Sequence, residues 1–510
     1  MGKVPLLGFK QSISNSNLNP ERLFRNCVCC YRAFNTRALG APMSKEIGNI
    51  TSDPTPKFIV ILAISMMAAV GGFLFGYDTG VIAGAHDLIA KEWKLDGTWG
   101  VFIIEVITSA VLVGAALGAL SGGKIADLFG RRRANMIAGV IFLVAAISLA
   151  LSPSPAWIIC NRLFIGLGVG LASAVGPLYI SETSPPKYRG AMISLFQMAI
   201  VIGILVAYLV DLAFTPPADA VPPADHQGWR WMFAIGGLPG ILLFFGFIFL
   251  PASPRWLVMR GRHEEASQVL HQTLPHKEAE KQLKLILADV KAQSVQSNNV
   301  SLLSAKGGKF ALHIAIGLAV LQQITGINAV IYYGVDIFKE AGFESSAAQV
   351  GAQAGLGVVN LIFTGIAILF IDKLGRRPLL LMGSAVMTIC LAILSVGFWF
   401  ITGSDSSANQ QVSGLSILIL IALAGYIAAF AASLGPLVWT MIAEIFPNEI
   451  RGKGVSIASG SNWIANLAVS LTFLTLIKDL NPQVTFAIFT LLSLGTLIWI
   501  FIVVPETKGY

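Results

Sequence analysis

Residues 322–333 read QQITGINAVIYY and lie inside a long apolar segment that is typical of a membrane helix. Uncharged polar side chains at membrane depth are costly unless each finds a hydrogen-bond partner. Gln323 and Asn328 lie about 140° apart on a straight helix, so they do not serve one flat interface. Gly326 between them allows the helix to bend or unwind. The stretch predicts either a polar cavity beside a broken helix or polar contacts between helices.

The whole chain is unusually apolar. Of its 510 residues, 55% are hydrophobic and 12% are charged, and the mean hydropathy is +0.73. Soluble domains carry roughly 25% charged residues. The composition therefore indicates a membrane protein with many spans and excludes a soluble enzyme held by one anchor. The net charge of +8 falls between the apolar segments, as membrane topology requires, and does not indicate nucleic-acid binding.

About twelve apolar stretches are long enough to cross the ~30 Å hydrocarbon core. They cover approximately residues 58–80, 99–121, 134–152, 157–180, 191–213, 231–250, 310–337, 350–371, 379–402, 414–440, 454–477 and 483–504. The long polar segment 253–308 between the sixth and seventh stretches is charged and amphipathic, which predicts short helices on the membrane surface. The fold class predicted is an all-α membrane protein.

Basic residues alternate between the two sides of the predicted spans. The richer loops contain Lys124, Arg131, Arg132, Arg133, Lys187, Arg189, Arg255, Arg260, Arg262, Lys373, Arg376, Arg377, Arg451 and Lys453. The positive-inside rule places these loops, both termini and the central segment in the cytoplasm. Residues 1–55 are polar and predict a disordered cytoplasmic extension, and Met43 is a candidate translation start.

Two pairs of motifs recur at equivalent places. GKIADLFGRRR at 123–133 follows the second span, and IDKLGRRP at 371–378 follows the eighth. ISETSPPKYRG at 180–190 follows the fourth span, and AEIFPNEIRG at 443–452 follows the tenth. The repeat predicts two six-helix halves, 56–252 and 309–510, joined by the helical segment 253–308. Two such halves can rock about a central cavity, which is the basis of alternating access.

Covalent chemistry has no support in the sequence. The five cysteines have no disulfide or metal-ligand spacing, and the group Cys27, Cys29 and Cys30 suggests at most a reactive or lipidated cluster. No nucleophile–base pair occurs at a plausible spacing. We expect a protein that is not an enzyme and that holds neither a metal nor a cofactor.

The ordered motifs resemble those of the sugar porter family of the major facilitator superfamily over about residues 58–509. They are GRR after the second and eighth spans, PPKYRG, PASPR at 251–255, QQITGIN, EIFPNEIRG, and PETKG at 505–509. The chain looks most similar to bacterial galactose–, arabinose– and xylose–proton symporters. The resemblance implies the major facilitator fold and a multi-pass protein of the inner (plasma) membrane. It also implies function as a monomer in the lipid bilayer.

The resemblance also implies a sugar site made from several spans. Its residues are Gln197, Gln322, Gln323, Asn328, Tyr332, Tyr333, Asn360, Trp439, Asn462 and Trp463. Amides donate and accept hydrogen bonds as sugar hydroxyls do, and indole rings pack on the C–H faces of a pyranose. Core packing of the tryptophans and an interhelical role for Asn360 are the alternatives. Ile204 stands where the xylose symporter carries a second glutamine, which favours a hexose over a pentose.

Asp78 in FLFGYDTGVIAGA is the candidate proton carrier, with Arg162 as its partner. An ionised Asp at the centre of a membrane helix costs about 2.5–3.5 kcal/mol. Proton-coupled relatives carry a matching Asp, so the expected function is symport of a monosaccharide with a proton as the coupling ion. A facilitative uniporter for a sugar or polyol, with a static ion pair, and a non-transporting sugar receptor are the alternatives. Glu105 is a second intramembrane carboxylate for which the resemblance implies no role.

The charged motifs imply a cytoplasmic latch that closes when the outer side is open. Its members are Asp127, Arg131, Arg132, Glu182, Arg189, Asp372, Arg376, Arg377, Glu444 and Arg451. The expected pairs join each Asp to the two arginines of its GRR motif, Glu182 to Arg189, and Glu444 to Arg451. The family pattern PESPR reads PASPR here, so Ala252 replaces an acidic member near Arg255.

Overall fold

The computed structural model describes residues 58–216, 227–296, 308–403, 414–446 and 450–506. Within these ranges, the side chains of 292–296, 371–374, 402–403 and 451–452 are not described. The extension 1–55, with Met43 and the cysteine group, lies outside the described residues. The described part is helical throughout, and eleven of its segments are long and apolar enough to cross a membrane. The all-α membrane fold is therefore confirmed.

Six helices form the first half of the bundle. They are α1 (Phe58–Glu92), α2 (Gly97–Phe129), α3 (Arg131–Ala150), α4 (Pro155–Thr183), α5 (Arg189–Phe214) and α6 (Gly228–Phe249). Helix α1 packs on α5, α6 and α4, while α2 packs on α4 and α3 on α6. Short connections make successive helices antiparallel. We call the end at which α1 begins and α2 ends the basic end, and the opposite end the far end.

Three short helices follow the first half. They are α7 (Pro254–Met259), α8 (His263–Thr273) and α9 (His276–Gln296). Leu257, Val258 and Ala266 form a small apolar core under them. The charged faces of α8 and α9 remain exposed, as the amphipathic pattern of 253–308 predicts.

Eight helices form the second half. They are α10 (Gly308–Ile324), α11 (Ile327–Glu340), α12 (Ser346–Leu374), α13 (Arg376–Gly403), α14 (Gly414–Ala432), α15 (Leu434–Ile445), α16 (Arg451–Ser470) and α17 (Phe473–Val503). Helices α10 and α11 together make one span, and so do α14 and α15. The two halves meet along α5 and α12, α2 and α16, and α1 and α11.

The last two predicted spans differ from the helices. The predicted span 454–477 crosses the end of α16 at Ser470, and α17 begins at Phe473 rather than near 483. Asn481 has a positive φ of 66°, so α17 kinks just before Pro482 and continues on both sides. The Asn-Pro pair marks this kink rather than a loop between spans. Helix α16 carries many polar residues and is not among the eleven apolar segments.

The internal repeat is visible in the turns at the basic end. Gly130 between α2 and α3 has φ 88° and ψ 153°, and Gly375 between α12 and α13 has φ 91° and ψ 153°. Arg132 donates to the Phe247 carbonyl at the end of α6, at 2.8 Å. Arg377 donates to the Phe501 carbonyl near the end of α17, at 2.7 Å. Each second GRR arginine therefore caps the last helix of its own half.

The closing motif of each half shows where the repeat has diverged. Glu506 in PETKG accepts from the backbone N–H groups of Arg376 and Arg377, at 3.0 and 3.1 Å. A carboxylate at a helix N-terminus satisfies unpaired N–H groups and the helix dipole. Ala252 follows Pro251 as Glu506 follows Pro505, and the N-terminus of α3 has no side-chain cap. By the internal repeat, an acidic residue in place of Ala252 would occupy the position of a helix cap for α3.

We expect Glu506→Gln to lower the stability of the protein by about 0.5–2 kcal/mol, because it removes a charged helix cap. Ala252→Glu should raise stability by a similar amount, since it supplies the equivalent cap to α3. Thermal unfolding of the purified variants in one detergent measures both effects. An unfolding temperature of Glu506→Gln equal to that of the parent would contradict this account of the motif.

Candidate functional site

The regular geometry of a membrane helix is interrupted at Gly326, between α10 and α11. Gly326 has φ 92°, a left-handed conformation that is strained for residues with a side chain, and it is the N-cap residue of α11. A Cβ atom there would also lie 2.8 Å from the ring of Phe489. A second break lies at Ser433, where φ is −135° and ψ is −91°, between α14 and α15. The two breaks leave backbone polar groups inside the bundle that need partners.

Amide side chains of the quoted stretch and of α16 donate to backbone carbonyls near the two breaks. Gln322 Nε2 donates to the Leu434 carbonyl beside the second break, at 2.8 Å. Asn462 Nδ2 donates to the Ala319 carbonyl at 2.8 Å and to Gln322 Oε1 at 2.9 Å. Helices α10, α15 and α16 are thus joined by buried amide hydrogen bonds. The interhelical polar contacts predicted from the sequence are present.

Gln323 and Asn328 extend the same cluster across the first break. Gln323 Nε2 donates to Asn462 Oδ1 at 3.1 Å, and Asn328 Nδ2 donates to Gln323 Oε1 at 2.6 Å. The unwinding at Gly326 brings together two side chains that a straight helix would separate by about 140°. We call Gln322, Gln323, Asn328 and Asn462 the amide cluster. Its members offer both donors and acceptors to a hydroxylated ligand.

The two predicted tyrosines lie beyond the cluster, toward the far end. Tyr332 accepts from Asn466 Nδ2 at 3.4 Å, and Tyr333 donates to the Ser470 carbonyl at 2.8 Å. The Tyr333 ring stacks on Phe473 with a centroid distance of 5.6 Å. Both tyrosines are buried. They form a wall on this side of the amide cluster.

Four other predicted residues lie on different helices around the centre. The Trp463 ring lies 5.9 Å from the Phe75 ring of α1, so it reaches the first half. Trp439 on α15 is 37% exposed. Gln197 on α5 and Asn360 on α12 are partly exposed, and Asn360 accepts from Thr364 in its own helix at 3.4 Å. Trp463 therefore contacts the first half, and within the described residues no hydrogen bond joins the other three to the amide cluster.

Sequence reasoning missed two buried polar residues beside the site. Asn466 follows Asn462 by one helical turn, which puts both amides on one face of α16. Gln353 on α12 donates to Tyr208 of α5 at 2.9 Å and to the Ile331 carbonyl at 3.2 Å. The spacing of Asn466 from Asn462 is the signal that would have found it. Gln353 has no comparable signal, because its partners come from two other helices.

Asp78 and Arg162 form a buried ion pair in the first half. Arg162 Nη1 donates to Asp78 Oδ1 at 2.6 Å, and the side chains are 0% and 4% exposed, respectively. Arg162 Nε also donates to the Ile107 carbonyl at 3.3 Å, and its guanidinium lies over the Phe233 ring. Its Nη2 has no hydrogen-bond partner within the described residues. The predicted partnership is therefore present.

Glycines let α1 approach α5 closely on either side of Asp78. A Cβ at Gly76 would lie 1.8 Å from the Ile200 carbonyl oxygen, and a Cβ at Gly80 would lie 2.8 Å from Ala207. Larger residues at these positions would separate the two helices. The glycines therefore hold the acidic segment of α1 against the helix that carries Gln197.

The charged motif of the first half is paired within that half, at the basic end. Arg131 donates to Asp127 Oδ1 at 2.8 Å and lies 2.9 Å from Glu182 Oε2. Ser253 also donates to Glu182. The expected pair of Glu182 with Arg189 is not formed within the described residues. Arg131 pairs with Glu182 instead. Arg132 likewise caps α6 rather than pairing with Asp127.

The motif of the second half repeats part of this arrangement. Arg376 Nη2 donates to Glu444 Oε1 at 3.3 Å, as Arg131 donates to Glu182. The side chains of Asp372 and Arg451 lie outside the described residues, and so do the pairs expected of them. Arg255 lies 4.0 Å from Asp289 of α9, which is a loose, exposed contact.

Comparisons with known proteins agree with this architecture. The family model described as "Sugar (and other) transporter" matches residues 64–510. The D-xylose transporter of Levilactobacillus brevis is 39% identical over 448 residues, which cover 88% of this chain and 93% of the relative. The arabinose-proton symporter of Bacillus subtilis is 36% identical over 449 residues, which cover 88% of this chain and 93% of that relative.

The chain belongs to the sugar transporter family. A solved structure of the xylose transporter XylE from Escherichia coli, in a partially occluded inward-open conformation, superimposes with a TM-score of 0.75. It is 30% identical in sequence, and the match covers 88% of this chain and 99% of that one. The family resemblance, the major facilitator fold and the non-enzymatic class predicted from the sequence are confirmed. Membership also makes this chain a membrane transporter.

We expect Asn462→Ala to weaken sugar binding about 5- to 150-fold, because it leaves Gln322 and Gln323 without their shared partner. Equilibrium binding of radiolabelled sugar to purified protein measures the effect. Asn135→Ala is the matched control, since Asn135 is buried but donates only to a carbonyl of its own helix. Equal affinities for Asn462→Ala and the control would remove the amide cluster from the binding site.

Proposed function

We propose that this sugar transporter moves a monosaccharide together with a proton by alternating access. The observation that carries the proposal is the buried ion pair of Asp78 and Arg162 inside the membrane bundle. A charge at membrane depth is costly, and such groups usually serve transport or proton relay. The proton affinity of a carboxyl group depends on its distance from a nearby cation. A rearrangement of the pair therefore changes the affinity of Asp78 for a proton.

Helix α1 gives the sugar site and the proton site a common element. Phe75 contacts Trp463 of the second half, and Asp78 follows Phe75 by three residues on the same helix. A sugar held between the Trp463 ring and the amide cluster would affect the position of Phe75, and therefore the turn of α1 that carries Asp78. This link supports coupling between the two substrates. The sugar contacts at Gln197, Asn360 and Trp439 remain part of the proposal.

The contacts between the halves support a conformation closed at the far end. His86 of α1 lies 3.1 Å from Asp336 of α11, and Tyr208 of α5 donates to the Ile331 carbonyl at 3.1 Å. The described charge pairs at the basic end each stay within one half. With the basic end toward the cytoplasm, as the positive-inside rule indicates, the site faces the cytoplasm in this state. The same charges would form the latch in the opposite state.

We place the protein in the plasma membrane with both termini in the cytoplasm, acting as a monomer. A hexose is the favoured substrate, because Ile204 lies where the xylose symporter has a glutamine. Ile204 is buried in an apolar cluster with Ala83, Tyr208 and Val335, which joins both halves. The relatives named above transport xylose and arabinose by their names, so the choice between hexose and pentose depends on this residue.

We expect Asp78→Asn to abolish accumulation of sugar driven by a proton gradient while sugar exchange across the membrane continues. Asparagine keeps the size of the side chain and one acceptor oxygen, but it cannot bind and release a proton as a carboxyl group does. Uptake and counterflow of radiolabelled sugar into vesicles with an imposed pH gradient measure the two activities. Asp87→Asn is the matched control, because Asp87 lies on the same helix and pairs with Lys91 at 2.6 Å.

Proton-driven accumulation by Asp78→Asn would refute the assignment of Asp78. A parent protein that only equilibrates sugar, with or without a protonophore, would instead favour the facilitative uniporter. In a uniporter the ion pair would serve stability alone. The two outcomes are distinct, because the first concerns one residue and the second concerns coupling itself.

We expect the parent protein to take up hexoses in preference to pentoses, and Ile204→Gln to increase the uptake of xylose relative to glucose. The added amide offers a donor and an acceptor to a pentose that fills less of the site. Competition among radiolabelled sugars in cells without their own porters measures the preference. Ile204→Met, which keeps an apolar side chain of similar size, serves as the control. A parent preference for xylose would reverse the substrate assignment.

A further inference from the structure

Glu105 is a carboxylate in α2 with no partner cation within the described residues. It is fully buried, although it lies about two turns inside a membrane helix. A carboxylate in such a place is expensive unless hydrogen bonds replace its water. The sugar and proton sites described above make no use of it. The presence of this carboxylate must therefore be explained by the groups that it contacts.

Both oxygen atoms of Glu105 are satisfied by one residue of the second half. Oε1 accepts from the backbone N–H of Thr475 at 2.8 Å, and Oε2 accepts from the Thr475 hydroxyl at 2.7 Å. Hydrogen bonds to an ionised acceptor are about twice as strong as neutral ones. The contact therefore joins the two halves through both oxygen atoms of one carboxyl group.

Thr475 is the third residue of α17, so its N–H group has no acceptor within that helix. The capping residue Thr472 makes no side-chain cap hydrogen bond, and its hydroxyl donates to the Ala468 carbonyl of α16 at 2.9 Å. Glu105 thus acts as the N-terminal cap of a helix in the other half. The positive end of the helix dipole favours a carboxylate at this position.

The contact lies at the far end, where other contacts also join the halves. His86 meets Asp336 and the Tyr332 carbonyl there, at 3.1 and 3.3 Å. When the halves part at this end, the Glu105 carboxylate and the N-terminus of α17 must separate. Both then face water, and the cap is lost. The hydrogen bonds exist only in the state that is closed at the far end.

We infer that Glu105 is a gating residue that holds the far end of the transporter closed by capping α17 across the two halves. The inference goes beyond the proposed function, because it concerns the balance between two conformations and requires neither sugar nor proton. Glu105 acts by positioning the halves and contacts no substrate. A ligand or a substitution that disrupts the cap shifts the population toward the state open at the far end.

Double electron–electron resonance, which measures the distance between two spin labels, tests the inference. Trp99 at the start of α2 is 72% exposed and Leu480 on α17 is 40% exposed, so both accept a label without disturbing the core. The labels are attached to Trp99→Cys and Leu480→Cys after replacement of the native cysteines by serine. In Glu105→Gln, which keeps the side-chain size, we expect the ratio of long to short distances to rise about tenfold or more.

Two further variants make the result specific. Thr475→Ala removes only the hydroxyl donor and should shift the ratio in the same direction by a smaller factor. Glu92→Gln is the matched control, since Glu92 bonds Trp229 and Arg230 of its own half at 2.6 Å and should leave the ratio unchanged. An effect of Glu92→Gln equal to that of Glu105→Gln would mean a general loss of structure and overturn the inference.

Unchanged distances in Glu105→Gln would also overturn the inference. Should that variant fail to fold, unchanged distances in Thr475→Ala decide against it equally. The measurement is made without sugar and at one pH. If the protein transports no sugar but Glu105→Gln still raises the ratio of long to short distances, the proposed function is contradicted and the inference about Glu105 is supported.

Discussion

Inside a membrane every polar group needs a partner from the protein, and this constraint organises the whole bundle. The breaks at Gly326 and Ser433 release backbone groups that regular helices would satisfy themselves. The side-chain amides of Gln322 and Asn462 donate to backbone carbonyls near these breaks and join α10, α15 and α16. The same amides have donors and acceptors that suit a sugar hydroxyl. A structural need and a binding surface are thus met by one set of residues.

At the basic end the constraint is met by charge rather than by amides. Arg132 and Arg377 each cap the last helix of their own half, and Arg131 and Arg376 each bind a glutamate. The side chains of Arg131 and Glu182 are both buried, whereas those of Arg376 and Glu444 are partly exposed. A network of such pairs biases a conformational balance without fixing it. This suits a transporter, which must leave each state as readily as it enters it.

The sequence was sufficient for the architecture because spans, charged loops and the repeated GRR motif are local patterns. Gly326 could be recognised as a break, since glycine stands between polar residues that one helix face cannot hold. The charge pairs are harder to predict: the motif that contains both residues predicts a pair of Glu182 with Arg189, whereas Arg131 contacts Glu182 through the packing of α3 on α4. Glu105 and Gln353 could not be assigned at all, because their partners lie hundreds or tens of residues away. Tertiary partners of this kind leave no periodic signal.

Three buried carboxylates of the membrane helices differ chiefly in where their partners lie. Asp78 pairs with Arg162, and Asp211 Oδ2 accepts from the Gly84 N–H at 3.1 Å, so both find their partners within the first half. A partner in the same half remains in place when the halves move as rigid units. Glu105 alone among the three meets a partner in the other half, and its environment must change with each opening. The hydrogen bonds of Glu105 therefore depend on how the two halves are arranged. Those of Asp78 and Asp211 depend only on the arrangement of helices within the first half.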